Sequence, residues 1–311
     1  EISESEGLDR THMHMPQAQN ELIDEITAVN SNVVVVLSAG SSIEIPWFDY
    51  VKGIVHGYLG GQAGASAMMN VLTGKTCPSG KLNETYPLHY EDTPAFHYYP
   101  SKERSSEYRE ALYVGYRYYT TVGKRVRFPF GYGLSYTDFE YSDMTGVYDA
   151  ATDSYNFNVT VTNTGDTYSG KETVQIYAQS PYTEYDKENS VEKSAVQLCG
   201  FGKTDILAPG ESQTLTINVD RADIASYDAY GAGTYILDAG DYYFTAATDA
   251  HNAVNNILAA KGFTTENGMD AEGNAELTFQ WTNDTLDTTT YAVSKSGAEV
   301  TNQLSDSDMN L

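Results

Sequence analysis

The stretch Tyr108–Tyr136, YREALYVGYRYYTTVGKRVRFPFGYGLSY, is crowded with aromatic side chains. Gly115, Gly131 and Gly133 stand between the aromatics, so the backbone can turn sharply while large rings pack on both sides. Flexible linkers are polar, whereas this stretch is rich in rings. It therefore predicts a rigid aromatic seam over residues 108–138 that joins two unlike domains. Because clefts form at domain junctions, we expect the seam to border a functional site.

Residues 1–107, before the seam, combine helical and buried-strand patterns. A helix is predicted over 17–30 from its apolar periodicity. Val33–Leu37 is apolar at every position, as in a parallel strand covered by helices on each side. A second strand is predicted over 54–59 and a second helix over 62–72. This alternation is typical of an α/β domain with a parallel sheet.

The sequence changes character after the seam. Tyr155–Asn163 and Thr173–Ala178 alternate between apolar and polar residues, as half-buried strands do. Turn signals such as Pro209-Gly210 separate further short strand candidates. Short strands between regular turns predict an antiparallel all-β sandwich over residues 139–262.

Residues 263–311 fit neither predicted domain. They are acidic and polar, with a strand predicted at Ala275–Trp281 and another near Tyr291–Ser294. We therefore expect an extension or linker that leads toward a further domain.

Composition excludes several classes of partner. The 311 residues carry a formal net charge of −25, which argues against nucleic acid because phosphate binding requires clustered Lys and Arg. No run of eighteen apolar residues occurs, so no membrane partner is expected. Cys77 and Cys199 lie far apart, which predicts neither a disulfide framework nor a zinc site. No signal peptide is visible, and a cytoplasmic location is expected.

The seam also carries a family resemblance. The patterns YxEALYVGYRYY and FPFGYGLSYTxFEY resemble the junction of family-3 glycoside hydrolases, the β-glucosidase group. GGQAG at Gly60–Gly64 and PSGKL at Pro78–Leu82 are similar to structural turns of that family. The resemblance implies a partial α/β sandwich domain with a parallel sheet, followed by an all-β fibronectin-III-like sandwich.

Glu6 is the candidate catalytic residue. Glycoside hydrolysis requires two carboxyl groups that flank the scissile bond. The segment Glu6–Arg10, EGLDR, resembles the family's EGxDR segment, whose Glu is the general acid/base. The resemblance implies the same role for Glu6, and Gly7 would let the loop present it at the edge of the sheet. Partial burial should raise its pKa to roughly 6–7, so that it can donate a proton near neutral pH.

The second carboxylate is missing from the sequence. The resemblance implies an Asp nucleophile in a short motif close to Ser-Asp-Trp on a (β/α)8 barrel. Here Trp47 follows Pro46 and Trp281 follows Gln280, so no such motif occurs. We therefore expect the chain to supply the acid/base but not the nucleophile, to depend on a barrel domain or chain as partner, and to be inert by itself.

His12 and His14 are candidate substrate-binding residues. They follow Glu6 closely, and with the seam aromatics they would line the leaving-group side of the cleft, where rings stack on sugar faces. No acidic or cysteine partner completes a metal set beside them. The resemblance implies that the reaction needs no metal and no cofactor.

The sequence thus predicts part of a retaining, exo-acting β-glucosidase that hydrolyses terminal non-reducing β-D-glucosyl residues of a β-glucoside or oligosaccharide. A β-xyloside or N-acetyl-glucosaminide is an alternative substrate, because the absent barrel would recognise the sugar. A non-catalytic carbohydrate-binding or adhesion module would explain the acidic surface, but not the parallel strands or the EGLDR segment. The sequence leaves open whether the protein forms a homo-oligomer.

The chain order is expected to be unusual. In the usual arrangement of the family the barrel comes first and the fibronectin-like domain ends the polypeptide. The strand pattern at Leu277, Phe279 and Trp281 lies beyond the predicted end of the sandwich. We therefore expect a circularly permuted member with its barrel after Leu311, an arrangement that closely spaced domain termini allow.

Overall fold

The computed structural model describes Gly7, residues 10–100, Arg104 and residues 107–303. It divides into two units, Glu1–Tyr136 and Thr137–Leu311. Within the described ranges, no helix combines the length and the apolar composition required to cross a bilayer.

The first unit is an α/β domain, as predicted. Its helices and strands follow in the order α1 (Gln17–Val29), β1 (Val34–Leu37), β2 (Gly53–His56), α2 (Gly64–Leu72), β3 (Tyr86–Pro87), α3 (Tyr116–Thr121) and β4 (Val126–Phe128). Strands β1 and β2 pair in parallel with Val34 opposite Gly53, and β3 pairs antiparallel with β4. The α/β connection through the turn at Phe48–Tyr50 therefore brings the carboxyl ends of β1 and β2 to the same sheet edge.

The core of the first unit includes buried residues of the loop after β1. Trp47 and Tyr86 are its largest fully buried side chains, and they pack with Leu37, Ile43 and Ile45. The Trp47 Nε1–H donates to Asn20 Oδ1 of α1 over 2.9 Å, which satisfies the one polar atom of the indole.

The prediction that β1 is covered on both sides was wrong for the described residues. Val34 is 48% exposed and Val36 is 44% exposed. Among the described residues β1 pairs only with β2, and of the apolar residues of α1 only Ile23 is buried. A continuous apolar run thus predicts a strand of a parallel sheet. Whether both faces of that strand are buried depends on the helices that pack against it, and the run itself does not specify these.

The second unit is a β-sandwich. Its elements are β5 (Phe139–Asp149), β6 (Ser154–Asn163), β7 (Thr173–Gln179), α4 (Glu184–Asn189), β8 (Gln197–Lys203), β9 (Ser212–Asp220), β10 (Ser226–Asp228), β11 (Thr234–Leu237), β12 (Gly240–Ala247), α5 (Ala250–Ala260), β13 (Thr278–Asn283) and β14 (Asp287–Tyr291). The sheets have the orders β13-β12-β7-β8, β5-β6-β9 and β10-β11-β14. Inward-facing residues such as Phe157, Ile176 and Phe244 form a single buried cluster, which is the sandwich core.

The sandwich does not end near Gly262, and this corrects the predicted 263–311 extension. Strand β13 pairs antiparallel with β12, with Trp281 opposite Tyr242. Leu277 is buried in the sandwich core, and strand β14 pairs with β11. Helix α5 interrupts the strand alternation before the last strands. A prediction from the period-2 pattern therefore placed the end of the sandwich before strands β13 and β14. The strand that motivated a permuted chain order belongs to the second unit and gives that order no support.

The second unit buries an ion cluster of Asp186, Lys193 and Asp238, with exposures of 0%, 6% and 1%. The Lys193 ammonium donates to Asp186 Oδ2 over 2.8 Å, to Asp238 Oδ2, and to the carbonyl of Pro181. The Oδ1 atoms of both carboxylates have no hydrogen-bond partner among the described residues. Burial and the nearby Asp186 carboxylate raise the pKa of Asp238, although Lys193 opposes the shift.

The seam folds with the first unit up to Tyr136. Phe128 packs edge-on against Tyr86 and stacks on Tyr132, with ring centroids 5.6 Å and 5.2 Å apart. Residues 131–133 run beside the turn at 80–82, where Leu82 N donates to Tyr132 O and Gly131 N donates to Leu82 O. Phe128 of the seam is therefore packed against the α/β core.

This close approach predicts that Gly133→Ala destabilises the first unit. A Cβ at Gly133 would lie 2.3 Å from the carbonyl oxygen of Gly80, and a backbone atom cannot rotate away. We expect the free energy of unfolding to fall by about 1–3 kcal/mol, measured by urea denaturation of the purified protein.

Gly80→Ala is the matched control for this prediction. A Cβ at Gly80 meets nothing within 4 Å, so we expect little change in the urea midpoint. Equal midpoints for the two variants would contradict the predicted clash.

Candidate functional site

A cavity of about 610 Å³ opens in the first unit, a size typical of small-molecule sites. Its wall combines the segment after Gly7, the turn after β1, the residues before β3 and the seam. Ser41 and Ser42, which follow β1, belong to this wall. The cavity therefore lies toward the carboxyl ends of the parallel strands, where α/β sheets bind ligands.

Arg10 links the N-terminal loop to the sheet edge. Its Nη2 donates to Ser41 Oγ over 2.5 Å, and both residues line the cavity. The contact brings the end of the EGLDR segment to the turn after β1. Glu6, the predicted acid/base, lies outside the described residues, and its catalytic role remains a prediction.

The two predicted substrate-binding histidines are separated by the structure. His12 lines the cavity, whereas His14 Nε2 lies 3.3 Å from Glu44 Oε2. The other oxygen of Glu44 accepts from the backbone N–H of Tyr90 over 2.9 Å. His14 thus pairs with a carboxylate that helps to hold the loop after β3, and only His12 is brought to the cavity wall.

Strands of two different sheets, β2 and β3, supply a hydrogen-bonded group of residues that leads to Glu84. His56 Nε2 lies 2.8 Å from the carbonyl of Ala39, so this nitrogen carries the proton, and the Tyr86 hydroxyl donates to the other ring nitrogen. Tyr58 stacks on His56 with ring centroids 3.6 Å apart. Its hydroxyl donates to Glu84 Oε1 over 3.4 Å, and Glu84 lines the cavity.

Tyr58 is kept as a hydrogen-bond donor. Burial, reinforced by the Glu84 carboxylate, raises the pKa of Tyr58 to about 12. Its backbone has a φ of +46°, a conformation that is uncommon outside glycine and marks a constrained position. The Tyr58 phenol therefore stays protonated beside Glu84 over the whole neutral range.

The seam supplies the aromatic part of the wall. Tyr116 and Phe130 stack with ring centroids 4.8 Å apart and an angle of 28° between their planes, and both line the cavity. Tyr119 lies beside them, and burial raises the pKa of its hydroxyl. Glu110 contributes a second carboxylate to the wall. Rings next to acceptor oxygens suit a ligand with an apolar face and hydroxyl groups.

Sequence reasoning missed Glu84, Tyr58 and Glu110. Glu110 stands at the beginning of the seam, which predicted a functional site there but not which residues form it. Glu84 follows the PSGKL turn, and no periodicity distinguishes it from an ordinary loop carboxylate. Among the described residues, no group of three or more His, Cys, Asp or Glu side chains could hold a metal ion.

Two family models match the chain. Residues 1–136 match the glycosyl hydrolase family 3 C-terminal domain, and residues 172–250 match a fibronectin type III-like domain. The two matches fall in the first and second structural units respectively.

Similar proteins are named as glycosidases. The thermostable beta-glucosidase B of Acetivibrio thermocellus is 45% identical over 227 residues, which cover 72% of this chain and 29% of that protein. An exo-alpha-(1->6)-L-arabinopyranosidase of Bifidobacterium breve is 37% identical over 90% of this chain and 35% of its own length. The chain thus spans about a third of the length of these relatives.

Solved structures are similar as well. The beta-glucosidase of Kluyveromyces marxianus in complex with glucose has a TM-score of 0.75 and 31% identity, and the match covers 91% of this chain and 30% of that one. A GH3 beta-glucosidase of Bifidobacterium adolescentis has a TM-score of 0.72 and 36% identity, with 80% and 36% of the two chains covered.

Proposed function

The chain belongs to glycosyl hydrolase family 3, whose C-terminal domain it carries together with a fibronectin type III-like domain, and on this premise we propose that it acts as part of a retaining, exo-acting β-glucosidase. The substrate is a β-glucoside or oligosaccharide, from which the enzyme removes terminal non-reducing β-D-glucosyl residues. The observation that carries the proposal is the Arg10–Ser41 hydrogen bond, because it holds the end of the EGLDR segment at the wall of the cavity.

Glu6 is the general acid and base in this proposal. It protonates the departing oxygen during glycosylation and then activates the water that hydrolyses the covalent intermediate. Arg10, four residues later in the sequence, is held at the cavity wall by its hydrogen bond to Ser41. Precise placement of a proton donor matters because transfer requires hydrogen-bond reach to the leaving oxygen.

The nucleophile is an Asp on a (β/α)8 barrel outside this sequence. A retaining mechanism places the second carboxylate about 5–5.5 Å from the first, so the barrel must close over this face of the first unit. The barrel then recognises the glycosyl residue. This division of labour agrees with relatives that match 72% and 90% of this chain but are named for different sugars.

His12 and the aromatic pair Tyr116 and Phe130 face the leaving group. All three line the cavity, and the stacked rings offer an apolar surface to a sugar face. His14 has no such role in this proposal, because its ring pairs with Glu44.

We expect the isolated chain to hydrolyse no β-glucoside and to regain activity when it is mixed with a barrel-bearing chain. The reason is that the acid/base alone cannot form the glycosyl intermediate. Release of p-nitrophenol from p-nitrophenyl β-glucoside, followed with each chain alone and with the mixture, measures this.

The mixture with a Glu6→Gln chain is the control and should show no rescue on a substrate with a poor leaving group. Hydrolysis by the purified chain alone would contradict the proposal. Tight sugar binding by the isolated chain, without rescue in the mixture, would instead indicate a carbohydrate-binding or adhesion module.

A further inference from the structure

Two carboxylates in the cavity wall are weakly engaged among the described residues. Glu84 accepts one hydrogen bond, the 3.4 Å contact from the Tyr58 hydroxyl. Glu110 makes no side-chain hydrogen bond and no ion pair with the described residues. Arg10 is the only arginine or lysine among the described residues of the wall, and it donates to Ser41. Both carboxylates therefore keep acceptor capacity for a ligand.

Thr85 adds an unsatisfied hydroxyl to the same wall. It is only 7% exposed, and its Oγ1 has no hydrogen-bond partner among the described residues. Buried hydroxyls in native proteins are almost always paired with protein or with a bound molecule. Because the Thr85 Oγ1 atom is itself sealed from solvent, it does not contact a ligand in the cavity, and the polar recognition falls to Glu84 and Glu110.

The charges and rings restrict the chemistry of this ligand. Two carboxylates repel an anion, so a phosphate or carboxylate ligand is disfavoured. A neutral ligand that donates several hydroxyls to carboxylates and places an apolar face on Tyr116 and Phe130 matches the wall. A pyranose has both properties.

We propose that this cavity binds the sugar of the leaving group, with Glu84 and Glu110 accepting hydrogen bonds from its hydroxyls. The inference rests on the proposed function, since the leaving group exists only if Glu6 serves a β-glucosidase. In this proposal the two carboxylates determine which leaving group is bound, and they take no part in the chemical step. The proposal also makes the hydrolysis of β-linked gluco-oligosaccharides, unlike that of aryl β-glucosides, depend on these two carboxylates.

The test compares two substrates on the complete protein, with its barrel. Glu84→Ala and Glu110→Ala should each lower kcat/KM for cellobiose, whose leaving group is glucose, by about 10- to 100-fold, as expected for one lost hydrogen bond to a charged group. For p-nitrophenyl β-glucoside, kcat/KM should stay within about twofold. Glu84→Gln and Glu110→Gln, which keep shape and one acceptor oxygen, should give smaller losses in the same direction.

Glu91→Ala is the matched control, because Glu91 is an exposed carboxylate of a nearby turn that does not line the cavity. It should leave both substrates unchanged. Equal losses for both substrates, or no loss for either, would overturn the assignment of Glu84 and Glu110. If the unmodified protein hydrolyses neither substrate, the proposed function fails. The sugar site is then tested separately, by comparing the binding of cellobiose to the unmodified protein and to Glu110→Ala. Equal binding by the two would overturn it.

Discussion

Glu6→Gln in the complete protein is expected to slow hydrolysis of β-glucosides with poor leaving groups by about 100- to 10,000-fold, the usual contribution of general acid catalysis. A sugar or alkyl oxygen leaves as a strongly basic alkoxide unless it is protonated in the transition state. Glutamine keeps the shape of the side chain but cannot donate that proton. The measurement is kcat/KM for cellobiose with both proteins.

Activated aryl β-glucosides should lose far less in the glycosylation step, because their leaving groups depart without a proton. The alkaline limb of the pH profile of kcat/KM should also disappear in the variant. A general acid must be protonated to act, so the unmodified rate falls as pH rises through the pKa of Glu6. Glu4→Gln is the neighbouring control and should be silent. Equal losses for both substrate types, or a large loss from Glu4→Gln with Glu6→Gln silent, would contradict the assignment.

Lys193→Met is expected to cause a large loss of stability in the second unit. Lys193 lies between the carboxylates of Asp186 and Asp238, and all three side chains are almost fully buried. Removing the ammonium leaves two buried carboxylates without a counter-charge, which typically lowers the free energy of unfolding by about 3–5 kcal/mol. Urea unfolding at pH 7 measures the change. Lys187→Met, at the exposed pair with Glu184, is the matched control and should cause no measurable change.

The sign of the pH dependence tests the same cluster. The pKa of Asp238 is raised in the folded protein, so its contribution to stability is present at low pH and is lost as pH rises through the folded value. The loss caused by Lys193→Met should therefore shrink when pH is lowered toward 5. Asp238→Asn resembles the protonated carboxyl and should cost less than Lys193→Met at pH 7. A loss from Lys193→Met that is the same at both pH values, or one smaller than that from Asp238→Asn, would contradict this account.

The fold class could be predicted because its signals are local. The run Val33–Leu37 has the composition of a parallel strand, and the structure pairs β1 with β2 in parallel. The alternation in Tyr155–Asn163 places every second side chain on one face of a strand, and those residues form the sandwich core. Such periodic patterns lie in consecutive residues, so they can be recognised without knowing which other segment of the chain the strand pairs with.

The end of the sandwich could not be predicted because it depends on pairing across a long insertion. Strand β13 returns to β12 only after helix α5 and the loop that follows it. Asn256 of α5 donates to the carbonyl of Ala246, and its Oδ1 accepts from Asn274 N, so one buried amide ties the insertion to the sheet. The local sequence pattern of residues 263–277 does not predict these contacts of Asn256.

The features of the candidate site also separate into those that the sequence predicts and those that only the tertiary structure decides. The sequence by itself determined the two domain types, the aromatic seam and, through the EGLDR segment, the candidate acid/base Glu6 and the neighbouring His12. Only the tertiary structure decided that His12 lines the cavity while His14 pairs with Glu44, and that Glu84 and Glu110 share a wall 26 residues apart in sequence. The physical reason is that periodicity and turn chemistry act between near neighbours. The direction and partner of a polar loop side chain instead depend on packing between segments that are distant along the chain.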